Sequence, residues 1–234
     1  MKRSPSNPLI AITNESKNVM DDYQVIRMIP SLQRQITEHF QPAWGTGAQI
    51  IFCEHGAPKD AYQIVIYDKA QSKDDEGFLG YHFSPEGYPI ASIFALDDMS
   101  EDGTISETLS HEILEMLVDP ACNLYAHRPA EGKRPGRGYF YEVCDPVQTL
   151  TYDIDGIRVC DFVYPEWYQY VWKADSRKFD HLGKIKRPFQ VLPGGYADIY
   201  ENSRRGFTTI WGSTTGTHKK RHRRKSRRKS GGHK

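Results

Sequence analysis

The segment TISETLSHEILEMLVDP, Thr104 to Pro120, admits essentially one local structure. Thr104 followed three residues later by Glu107 reads as a capping box opening a helix, and Asp119-Pro120 marks its end. Ile105, Leu109, Ile113, Met116 and Leu117 recur with the helical period and share one side. His111 and Glu115 fall on the opposite side, about 40° apart around the axis. One face of this helix packs, and the other presents an imidazole and a carboxylate.

Strand signals precede it. PLIAIT (8–13), AQIIFCE (48–54), YQIVIYD (62–68) and YPIASIFAL (88–96) are rich in β-branched and aromatic residues, and the stretch from Asp68 to Gly87 reads as a polar loop. Between the first two strands, residues 19–40 carry apolar positions at helical spacing, with Pro30 predicting a late start or a kink. This order predicts an α+β chain with a small mixed sheet. Past Pro120, residues 121–141 read as a long surface loop. TLTYDI and IRVCDFV flank Asp155-Gly156, a two-residue hairpin turn. Residues 164–200, rich in aromatics, Pro and Gly, predict an irregular C-terminal half. Residues 1–202 are therefore expected to fold together, and 203–234, with the run GSTTGT, to form a linker and a disordered tail.

Charge separates these two parts. Of 31 basic residues, ten lie in 218–234, which holds no acid; the remaining 21 face 30 acidic residues, so the body is near −9. Lys219, Lys220, Arg221, Arg223, Arg224, Lys225, Arg227, Arg228 and Lys229 make the tail a diffuse cation suited to nucleic-acid phosphate. No aromatic residue interrupts it, which argues against base stacking. A solvated tail, a contact with an acidic protein surface or a targeting signal fits the same composition. No apolar run is long enough to span a bilayer and no signal-peptide pattern opens the chain, so the expected location is cytoplasmic, without membrane contact. Cys53, Cys122, Cys144 and Cys160 are too scattered for a disulfide scaffold or a CxxC zinc site. Cys122 and Cys144 are the two that could lie close together, as thiols in a reducing compartment.

The chemistry rests on His111-Glu112-x-x-Glu115. Residues at i and i+4 project from adjacent turns, so His111 and Glu115 can hold one metal ion while Glu112 reaches a water beside it. Glu115 stands where such helices usually carry a second His; carboxylate oxygen is an accepted zinc ligand, although it favours harder ions. Glu142, in YEVCDP, is the best third ligand, with Asp145 expected behind it accepting the other N–H of His111. Asp119, Asp145 itself and His127 are rivals. Tyr141, Tyr152 and His127 are candidates to polarise a reacting carbonyl.

The blocks LSHEILEMLVDPACNLYA, YEVCDPV, VCDFVYPEWY and FDHLGKIKRPFQVLPGGY resemble a group of bacterial and phage proteins that look like zincin-type metallopeptidases. The resemblance covers about residues 8–200, and its patterns HExLEMxxDPxCNL and EVCDPV are specific. It implies a zincin-like fold, a metal site at His111 and Glu115, and Glu112 as base; it implies no substrate. In such architectures the strand just before the helix, here 88–96, lies at the sheet edge and can hold an extended peptide. The expected function is a zinc-dependent hydrolase of peptidase type with a nucleic-acid-binding tail. The alternative is a non-catalytic phage-particle component with the same fold, its tail on DNA or an acidic partner.

Overall fold

The computed structural model, which describes residues 7–100, 104–170, 178–201, 203 and 206–213, places strand at each β-branched run the sequence singles out. β1 (Leu9–Asn14) leads into helix α1 (Asp22–Arg34), which continues as a π-helical turn (Gln35–Phe40) and a short α2 (Gln41–Trp44). β2 (Gln49–Phe52), β3 (Tyr62–Tyr67), β4 (Gly80–Phe83) and β5 (Ile90–Phe94) follow, then α3 (Ala95–Ser100) and α4 (Ile105–Val118). The chain closes with β6 (Tyr125–Arg128), β7 (Arg137–Phe140), β8 (Thr151–Ile154), β9 (Ile157–Cys160), β10 (Tyr196–Glu201) and β11 (Gly206–Trp211). The described fold is α+β.

The first sheet has the order β2-β1-β3-β5-β4. β1, β2, β3 and β5 are parallel and β4 runs antiparallel along β5. Ile10, Ala11 and Ile12 in β1 are all fully buried, as expected for a central strand covered on both faces. α1 opens with a reciprocal cap between Asp21 and Gln24, and carries the exposed Pro30 inside it, so the helix does not start late. The π turn points buried Gln35 at β9, where its amide donates to the Cys160 carbonyl at 2.8 Å.

Three expectations are corrected. The segment 68–87 is not all loop: it contains β4, only four residues long and too short to stand out in a polar context. β4, not the 88–96 strand, is therefore the sheet edge next to the helix. Residues 121–141 are not a surface loop but contain the β6/β7 hairpin, part of a second, antiparallel sheet ordered β11-β10-β7-β6. The hairpin β8/β9 forms where expected, with positive φ at Asp155 (53°) and Gly156 (81°).

The chain is still paired beyond residue 202. β11 matches β10 from Tyr196↔Trp211 to Glu201↔Gly206, and the Gly212 N–H donates to the Gly195 carbonyl at 2.9 Å. The boundary expected at 202 thus moves to about Trp211, because the hairpin pairing outweighs the polar composition of the segment. A chain truncated after residue 202 will melt roughly 10 °C or more below one truncated after Ser213, measured by circular dichroism. Equal melting temperatures would remove β11 from the fold. The basic stretch Lys219 to Lys229 lies outside the described residues. No helix among the described residues is long and apolar enough to cross a membrane.

Candidate metal centre

α4 is the spine of the site, and it is enclosed on every side: each residue from Ile105 to Leu117 is buried. Its polar face looks into the protein rather than into solvent. The capping box does not form as expected. Thr104 makes no side-chain cap; its hydroxyl meets Ser106 at 2.9 Å, and the Glu107 carboxylate pairs with Arg158 at 2.9 Å. Ser106 and Ser110, one turn apart, bind β9 by donating to the Arg158 carbonyl (2.7 Å) and accepting the Cys160 N–H (2.8 Å). On another side β4 comes close, since a Cβ at Gly80 would stand 2.8 Å from Thr108. That approach brings His82 of β4 onto the helix.

His111 Nε2 lies 3.2 Å from Glu115 Oε1 and 3.2 Å from Asp145 Oδ1. The Cys144 N–H donates to the same Glu115 oxygen at 3.1 Å, which anchors the 142–145 segment on the last turn of α4. His82 Nδ1 lies 3.0 Å from Glu112 Oε2 and 3.9 Å from Glu115 Oε2. Two trios of potential ligands emerge, His111/Glu115/Asp145 and His82/Glu115/Glu142, with the donor atoms of each within 4.8 Å of one another. A third, His111/Cys144/Cys160, adjoins them. All these side chains are at most 4% exposed.

The spacing in the first trio suits a small divalent ion. Tetrahedral ligands about 2.0–2.1 Å from zinc sit about 3.3 Å apart, close to the 3.2 Å separations at His111 Nε2. Burial together with the nearby Glu112 charge pushes the Glu115 carboxyl up to about 7 against the pull of His82, Glu142 and the Cys144 N–H. Asp145 is held well above the usual carboxylate range, first by burial and then by Glu115, Glu142 and Asp198, while a hydrogen bond from Tyr196 opposes the rise. For His82, burial favours the neutral ring, yet the Cys122 thiol and the Glu112 and Glu142 carboxylates outweigh it and raise its pKa well above normal. Such mutual repulsion among buried acids is what a cation relieves.

His111, Glu112, Glu115, Glu142 and Asp145 therefore converge, but not in the expected arrangement. Asp145 faces the same imidazole nitrogen as Glu115, so it belongs beside the donors and not behind His111. Glu142 instead groups with His82. Asp119 is not part of the cluster: its carboxylate accepts the Asn123 and Leu124 N–H groups at 3.0 and 2.8 Å and fixes the turn after α4. His127 is exposed on β6. Tyr152 hydrogen-bonds to Gln35 and His39, and the Tyr141 ring lies tilted against Tyr168 with centroids 4.3 Å apart; it is Tyr168 and Tyr196 that border the acids. Cys144 lies 3.5 Å from the sulfur of Cys160, not beside Cys122, whose thiol meets the His82 carbonyl at 3.8 Å; all four cysteines are free thiols.

His82, Tyr168 and Tyr196 carry no signal in the sequence, and Cys160 stands there only as one of four scattered cysteines. His82 sits in a four-residue strand and the others in segments with no ligand-like spacing. No family model matches the chain, and neither a curated protein nor a solved structure is similar to it.

Proposed function

We propose that this chain is a zincin-like, metal-dependent hydrolase acting on peptide bonds, with zinc held by His111, Glu115 and Asp145. The observation that carries the reading is the pair of 3.2 Å separations from His111 Nε2 to carboxylates of α4 and of the 145 turn. A divalent cation there would supply Lewis acidity, making a water more acidic and polarising a carbonyl. Glu112 is the side chain placed to take the water's proton and return it to the leaving amine. His82, at 3.0 Å from Glu112 Oε2, orients that carboxylate. Tyr196 orients Asp145, and the buried Tyr168 hydroxyl, next to Glu142 and Glu115, is a donor for a developing oxyanion.

Glu112→Gln will keep its metal, measured by elemental mass spectrometry, and lose about 100-fold or more of its rate on a fluorogenic peptide library. Unchanged hydrolysis in that variant would dismiss Glu112 as the base. The depth of the site favours a second reading: with every donor at most 4% exposed, the ion could be purely structural, in a phage-particle component. Under that reading wild type binds metal yet cleaves nothing in the library. In both readings the basic tail, Lys219 to Lys229, is proposed to contact nucleic-acid phosphate, with affinity falling steeply as salt rises.

A further inference from the structure

We infer that the cluster holds two divalent cations, with Glu115 bridging them. This rests on the metal-binding reading above and extends it from one ion to two. The first ground is the orientation of Glu115. Its Oε1 faces His111 Nε2 at 3.2 Å and its Oε2 faces His82 Nδ1 at 3.9 Å, so the two oxygens of one carboxylate serve different imidazoles. Each side is completed by its own acid, Asp145 beside His111 and Glu142 beside His82. A bridging carboxylate flanked by two such sets matches two-metal sites, whose ions lie about 3.5–4 Å apart.

The second ground is His82 itself. Its Nδ1 lies 3.0 Å from Glu112 Oε2 and 3.9 Å from Glu115 Oε2, so a ring 1% exposed turns one nitrogen toward two buried carboxylates, and that nitrogen is the donor it would offer an ion between them.

The third ground is charge. Glu112, Glu115, Glu142 and Asp145 are each at most 4% exposed and surround two imidazoles. One divalent ion offsets half the charge of the four carboxylates. Two offset all of it with both rings neutral, as ligation requires. The donor set, two nitrogens and the rest oxygen, suits zinc and manganese.

The test is metal stoichiometry on the full chain after chelation and dialysis. Titration with Zn²⁺, read by elemental mass spectrometry, should saturate at two ions per chain. His82→Asn should keep one, and Glu115→Gln should lose both or weaken each more than 10-fold. Wild-type protein titrated with Mn²⁺ gives a reading free of any folding defect in the variants. The six-line paramagnetic signal of the first equivalent should broaden or vanish as the second couples to it through Glu115. Saturation at one ion, with His82→Asn unchanged, overturns the second site and leaves the first intact. Absence of any stoichiometric ion overturns both.

Discussion

Zinc added to chelator-treated protein will raise its melting temperature by roughly 10 °C at pH 8 and by much less at pH 5. Glu115 is 3% exposed, and its carboxyl rises from an ordinary 4.5 to about 7 on folding without metal. The metal-free folded chain then binds more protons than the unfolded chain above about pH 4.5, so stability present below that pH is lost as pH climbs through about 7. For Glu115 alone the loss is on the order of 3 kcal/mol. Asp145 and His82, both raised, act in the same direction. Zinc needs deprotonated ligands, so its binding strengthens over the same interval and removes the repulsion.

Groups elsewhere also titrate. Asp161, buried beside Asp180 and raised to about 8, loses stability with rising pH, whereas His181, lowered to about 4 by burial, gains it between about 4 and 6.5. His181 is only partly buried, so its share is reduced by solvent. Neither touches the cluster, and both cancel in the difference between zinc-loaded and chelated protein at one pH. A zinc-induced shift equal at pH 5 and pH 8, or no shift at either, would count against the cluster as a metal centre.

Gly195→Ala will unfold the region around Asp145 without altering a single ligand. A Cβ at Gly195 would stand 2.7 Å from the Pro146 carbonyl carbon, 2.9 Å from the Asp145 carbonyl oxygen, and closer still to the oxygen of Pro146. All three are backbone atoms and none can rotate away. The strand cannot retreat either, because Gly195 donates to the Leu192 carbonyl and accepts from Gly212, while Leu192 donates to Pro146. The expected cost is about 3 kcal/mol or more, with zinc affinity falling at least 10-fold as Asp145 shifts. Asp145→Asn serves as the comparison: it should weaken zinc while leaving the metal-free melting temperature within a few degrees. The proposed link between the C-terminal strands and the site fails if Gly195→Ala melts and binds zinc like wild type.

α4 was legible because its signals are local. Apolar residues at helical spacing define the helix, and the i, i+4 relation of His111 and Glu115 follows from helix geometry whatever surrounds it. The parallel core strands were legible for the same reason, as uninterrupted β-branched runs, and so was the Asp155-Gly156 turn, whose positive φ values suit these residues. β4 was not, because four residues with two apolar side chains lack enough periodicity to outweigh a polar neighbourhood. β11 was missed likewise: its partner β10, not its own composition, makes it a strand.

By itself the sequence determined the helix, the two donors one turn apart on it and the separation of an acidic body from a cationic tail, since each depends on residues close along the chain. Only the tertiary structure decided which distant groups meet that helix. His82 arrives on an edge strand because β4 packs against Thr108, and Asp145, not Glu142, faces His111 because Cys144 anchors the turn on Glu115. Those meetings are set by packing between segments about 30 residues apart, and no spacing in the primary sequence encodes them.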